Sequence, residues 1–147
     1  MSETEKSKLN YNFGVLIVTH GALSRGLRSA SNMIIGKQFI PVVGLYPGHD
    51  LSLFEEEINE KLDDQIERFG SCLVLTDLFF GTPFNVVSRL MEEYDFHHYT
   101  GINLPLLIEI LSLRTSSSLE SVITFLEDHL STTFIHVNDI AEEGGDL

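Results

Sequence analysis

The sequence predicts an α/β fold: one doubly wound domain with a mostly parallel five-stranded sheet and helices on both faces. Short uninterrupted apolar runs rich in β-branched residues read as strands covered on both sides. Segments with apolar residues at steps of three and four, the period of an amphipathic helix, separate them. Strands alternating with helices at this spacing call for right-handed crossovers. Such sheets gather their sites at the carboxyl ends of the strands, beside the point where strand order reverses.

Residues 13–19 (FGVLIVT) form the first strand. After His20-Gly21, the period of Leu23, Leu27, Ala30 and Ile34 marks a helix that Gly36 ends. Residues 39–45 read as a second strand, and Pro41 places it at a sheet edge because proline cannot donate to a ladder. A turn at residues 46–50 leads to a stripe of Leu51, Phe54, Ile58, Leu62 and Ile66, with Ser52 and Glu55 spaced as a capping box. Residues 72–76 are a third buried strand. A loop over residues 77–81 precedes a short helix opened by Thr82-Pro83, with Thr82 as the expected cap. Residues 96–100 are a weaker fourth strand. Asn103 caps the next helix, and a capping-box pattern over residues 117–120 starts the one after. Residues 133–137 are expected to be a fifth strand whose orientation is left open, with antiparallel pairing and exchange between subunits both among the options. Residues 1–10 are expected to be a flexible polar leader, 11–138 the domain, and 139–147 an acidic tail.

The 147 residues suffice for one core. Nine basic against 22 acidic residues give a formal charge of −13. That field repels nucleic acid and anionic membranes and favours a basic protein partner. Cys72 is the only cysteine, so no intramolecular disulfide and no cysteine-based zinc site can form. No apolar run approaches the length of a membrane span, and neither the leader nor any other segment reads as a signal peptide; the expected location is the cytoplasm.

Two strand ends carry chemistry. The first runs into Thr19-His20-Gly21 and the third into Thr76-Asp77-Leu78. First and third strands are commonly neighbours in a doubly wound sheet, so His20 and Asp77 would emerge side by side. A carboxylate beside an imidazole fixes its tautomer and leaves the other ring nitrogen as a nucleophile. The helix opening at Gly81-Thr82-Pro83-Phe84 would present free N–H groups and a positive dipole end, an anion site suited to phosphate. Catalytic candidates are therefore His20 and Asp77, and phosphate-binding candidates are Gly81, Thr82, Phe84 and Gly21. No nucleotide-cradling glycine loop and no dinucleotide fingerprint is present, so the phosphate would arrive mounted on another protein. No metal-ligand spacing appears, and neither metal nor cofactor is expected. His49 is expected mostly in solvent. His97 and His98 point to opposite faces and pack, and His129 and His136 are structural.

In order and spacing, VTHGALSRGL (residues 18–27), NMIIGKQ (32–38), TDLFFGTPFN (76–85) and GINLPLLIEIL (101–111) resemble the mannose-family enzyme IIA domains of bacterial sugar phosphotransferase systems. The resemblance covers residues 12–137. It implies that His20 accepts phosphate from the phosphorylated carrier HPr and passes it to enzyme IIB, with the membrane reached only through components IIC and IID. It implies further that Asp77 hydrogen-bonds the histidine, that Thr82 receives phosphoryl oxygens, and that the protein is a homodimer. With the sequence ending soon after the last expected strand, it is similar to a IIA that stands alone. The family usually carries two glycines where this sequence has Phe80-Gly81, so a reshaped loop or an aromatic lid is expected there. A phosphocarrier subunit of a dihydroxyacetone kinase has a similar fold, but FGTPFN and NLPLLIEIL favour the sugar-transport branch. A non-catalytic regulatory module would have lost His20 or Asp77. A flavodoxin-like binder would need a phosphate-cradling loop after the first strand.

Overall fold

A computed structural model describes residues 9–142 and 144 of the chain. Strand β1 (Gly14–His20) leads into α1 (Leu23–Ile35), β2 (Val42–Leu45), α2 (Leu51–Phe69) and β3 (Cys72–Thr76). The chain continues through α3 (Thr82–Leu90), β4 (His97–Thr100), α4 (Leu104–Leu113) and α5 (Leu119–His129). A 3₁₀ turn (Leu130–Thr132) precedes a short α6 (Val137–Glu142). The four strands are all parallel, in the order β2-β1-β3-β4. Strand order thus reverses between β1 and β3, the first ending at His20 and the second just before Asp77.

Alternation along β1 splits the core in two. Phe13, Val15 and Ile17 pack with α1, α4 and α5, while Leu16 and Val18 pack with α2 and α3. Every residue of β3 is buried, as a central parallel strand requires. Cys72 lies among them, and burial pushes its thiol well above the ordinary range, which makes it inert. Gly14 leaves room for Gln65, whose Oε1 accepts the Val15 N–H at 3.1 Å; a Cβ at Gly14 would meet that oxygen at 2.6 Å.

Several helix starts differ from expectation in detail. Asp50, not a Ser52–Glu55 box, caps α2 by accepting the Ser52 and Leu53 N–H groups, since a carboxylate two residues before Ser52 is the stronger acceptor. Ser118 rather than Ser117 caps α5. Thr82 is the first residue of α3 and Gly81 its cap, which leaves the Thr82 hydroxyl free of a capping bond. Asn103 caps α4 as expected.

The fifth strand does not form. Residues 133–137 belong to no ladder: Phe134 is fully exposed, Ile135 and Val137 face solvent, and residues 137–142 are helical. A strand needs an open ladder within reach, and the 3₁₀ turn carries the chain off the sheet before these residues can meet β4. His136, expected on that strand, instead pairs with Asp139 at 3.2 Å in solvent. Helix α6 crosses the domain boundary expected at residue 138. The leader over residues 1–8 and the tail at 143 and 145–147 lie outside the described residues.

Candidate functional site

The carboxyl edge of the sheet brings His20 and Asp77 together. Parallel register pairs Val18 with Thr76, which puts Asp77, one residue beyond β3, within reach of His20, the last residue of β1. Asp77 Oδ2 lies 2.9 Å from His20 Nδ1 and accepts the His20 backbone N–H at 3.1 Å. An ionised carboxylate only accepts, so Nδ1 carries the proton and Nε2 keeps its lone pair. The Asp77 side chain is 12% exposed and that of His20 46%, a held acid beside an accessible ring. Asp77 Oδ1 is buried with no hydrogen-bond donor, so half of the carboxylate's capacity to stabilise positive charge is unspent.

Local sequence builds this corner. Gly21, at φ +51°, turns the chain out of β1, and its N–H donates to Leu45 O at 2.7 Å. Buried Thr19 accepts the Ser24 N–H at 2.8 Å and so caps the start of α1. Gly81 sits against the imidazole: a Cβ there would come within 2.8 Å of His20 Cε1 and 3.5 Å of Nε2. The N-terminus of α3 therefore opens beside the free ring nitrogen. The N–H groups of Thr82 and Phe84 have no partner among the described residues, and Pro83 has none to offer. Free N–H groups and a positive dipole end at a helix terminus suit an anion.

Phe80 resolves the departure at the glycine position. It adopts φ +63° itself, the sole non-glycine residue with positive φ among those described, the conformation that glycine takes at lower cost. Its ring is 70% exposed and packs on Phe79 and Phe84 at centroid distances of 4.1 and 5.5 Å. It borders the site rather than filling it. Phe84 also meets His98 at 5.2 Å, and His98 Nε2 pairs with Thr76 Oγ1 at 2.7 Å. Burial lowers the His98 pKa to about 4, so this ring packs as a neutral group.

A hollow of about 410 Å³ in front of His20 is lined by Gly21, Leu45, Tyr46 and Pro47. Sequence reasoning missed Tyr46 and Pro47, although β2 pairs in parallel with β1 and its carboxyl end had to arrive at the same edge. His49 stays out of the hollow and packs on Phe54 at 5.6 Å. His129 stacks on Phe125 at 4.0 Å. Among the described residues, no cluster of three metal-ligating side chains exists, and no helix is long and apolar enough to cross a membrane.

Fold and site together define a doubly wound α/β domain with a histidine–aspartate pair at its switch point and a helix terminus facing the histidine. The chain belongs to the EIIA-man family, the fructose IIA component of the PTS, whose model matches residues 14–127. It is 32% identical over 115 residues to the fructose-specific EIIA component of Bacillus subtilis, covering 77% of this chain and 78% of that protein. It is 31% identical over 104 residues to the mannose-specific EIIAB component of Escherichia coli, covering 68% of this chain but 31% of that longer protein. Among solved structures, the PTS IIA protein associated with the fucose utilization operon of Streptococcus pneumoniae superimposes with a TM-score of 0.76 at 28% identity. That match covers 88% of this chain and 96% of the other. The EIIA of Streptococcus agalactiae follows at TM-score 0.73 and 27% identity, covering 86% and 98%. Mannose-family EIIA and its α/β fold are thereby established for this chain.

Proposed function

We propose that this chain is a phosphohistidine carrier: His20 accepts the phosphoryl group of phosphorylated HPr and passes it to enzyme IIB for coupled sugar uptake and phosphorylation. The observation that carries this reading is the 2.9 Å contact of Asp77 Oδ2 with His20 Nδ1, which leaves Nε2 free opposite the start of α3. Phosphoryl transfer asks the protein mainly for positioning and charge stabilisation. The P–N bond of the donor histidine breaks as a P–N bond to His20 Nε2 forms. The proton stays on Nδ1, and Asp77 balances the positive charge that the ring acquires. The N–H groups of Thr82 and Phe84 and the Thr82 hydroxyl receive the equatorial oxygens. Delivery to enzyme IIB repeats the step in reverse, with no metal or cofactor in the scheme. Such a carrier works in the cytoplasm, where its partners are, and meets the membrane only through IIC and IID.

Homodimer formation fits the same reading. Among the described residues the outer edge of β4 has no partner strand, and the apolar Phe134, Ile135 and Val137 stand in solvent a few residues beyond α5. Exchange of residues 133–137 between two copies would cover both at once.

The test is incubation with phosphoenolpyruvate, enzyme I and HPr, followed by mapping of the acid-labile phosphate. Label on His20 supports the assignment. Undiminished labelling of His20→Ala refutes it.

A further inference from the structure

A second hollow lies away from His20. It holds about 530 Å³ along the free edge of β2, where α1 and α2 flank the sheet from opposite faces. Its charged lining is Arg25 and Arg28 from α1, Lys37 after that helix, and Lys61 from α2, with Asn32 and Gln38 between them. These are four of the chain's nine basic residues, and no acidic side chain lines the hollow, although acids outnumber bases 22 to nine. Positions 25, 28 and 32 lie on one face of α1 by helical spacing, which is why the cations collect.

Their pairing is unusual for so acidic a protein. Arg68 and Arg89 elsewhere take carboxylates, at 2.7 and 3.7 Å. In the hollow only Lys61 does, with Glu57 at 2.9 Å. Arg25 donates to the neutral Tyr46 hydroxyl at 2.6 Å and Arg28 to the carbonyl of Ile40 at 3.3 Å, while Lys37 makes no ion pair among the described residues. Among the described residues, three positive charges thus converge on a concave space without a counter-charge, beside an apolar strip over residues 39–42.

We propose that this hollow binds a small phosphomonoester, its phosphate on the guanidinium and ammonium groups and its carbon skeleton on the strip at 39–42. The volume lies within the range of small-molecule sites, about 300–1,000 Å³. Guanidinium forks match phosphate oxygens in pairs. The net charge of −13 disfavours a polyanion, but screening over about 8 Å leaves a small anion to feel the local cations. Arg25 also links this hollow to the other one: its partner Tyr46 lines the space in front of His20. An occupant that takes Arg25 away from Tyr46 therefore acts on the wall of the site.

The test is an amide-shift titration of the ¹⁵N-labelled protein at low salt with inorganic phosphate, a hexose phosphate and the uncharged hexose. Saturable shifts centred on residues 25–42 and 61, tighter for the ester than for inorganic phosphate and absent with the uncharged sugar, support the site. Lys37→Gln, on an exposed loop, should weaken the ester roughly tenfold, the scale of one charge-assisted hydrogen bond. Arg25→Gln should do the same. Shifts centred on His20 and residues 82–84, equal response to the uncharged sugar, or unchanged affinity in Lys37→Gln would overturn it. Lys37 does not line the hollow in front of His20, so phosphorylation of His20 in Lys37→Gln is scored independently of ester binding.

Discussion

The corner at His20 and the hollow beside β2 leave opposite charges without a counter-ion. At the corner, a carboxylate has one oxygen on an imidazole and the other unpaired. In the hollow, guanidinium groups rest on neutral oxygens. A chain with 22 acidic residues had ample means to pair every cation and to keep spare carboxylates in water. At Asp77 the unpaired oxygen is buried, a cost that persists where something outside the resting chain completes it, whereas Arg25 and Lys37 are exposed and keep their water. The proposed complement at Asp77 is the positive charge developing on a phosphorylated ring, and the proposed complement in the hollow is an anion.

Breaking the corner gives the largest effects. His20→Ala should reduce labelling by phosphorylated HPr to background. Asp77→Asn should keep the fold, because Asn still accepts a hydrogen bond, but should slow transfer by about 10²-fold through loss of the charge. Single-turnover transfer together with a thermal melt separates the two effects, and an unchanged rate would remove Asp77 from the mechanism. Gly81→Ala should act at a similar scale, since its methyl would press on His20 Cε1.

A smaller effect concerns the aromatic border. Phe80 at φ +63° occupies a region that costs a non-glycine residue about 1–2 kcal/mol. Phe80→Gly should therefore raise stability by about 1 kcal/mol, net of the packing lost on Phe79 and Phe84. A lowered melting temperature would mean that the aromatic contacts outweigh the strain.

The smallest is a pH effect at the packing beneath the site. His98 has a folded pKa of about 4, below its ordinary 6.5. Between those values the unfolded chain binds a proton that the folded one refuses, so the His98 contribution is intact above pH 6.5 and is lost progressively down to about pH 4. Urea melts of His98→Gln should show a shallower fall in stability over that window than the parent. An identical slope would show that His98 does not titrate as an isolated buried ring.

What the sequence made legible follows from how local each signal is. β1 and β3 announce themselves as apolar runs, and the residues after them, His20 and Asp77, take their positions from parallel register alone. Gly81-Thr82-Pro83 reads as a helix start because cap chemistry is local, although the cap proved to be the glycine. Tyr46 and Pro47 were hidden because a turn's reach depends on how α2 packs, not on any period. The run at 133–137 has strand chemistry, but a ladder partner is a property of the assembly and not of the segment. The cations of the second hollow are spread from Arg25 to Lys61, so only the fold unites them.

The central claim is chemical: Asp77 holds Nδ1 and leaves Nε2 to take the phosphoryl group. Phosphorus–proton correlation NMR of the freshly phosphorylated protein reads which ring nitrogen carries the phosphorus. The account predicts a phosphoramidate on His20 Nε2, with Nδ1 still protonated. Phosphorus on Nδ1, or on any residue other than His20, would contradict it.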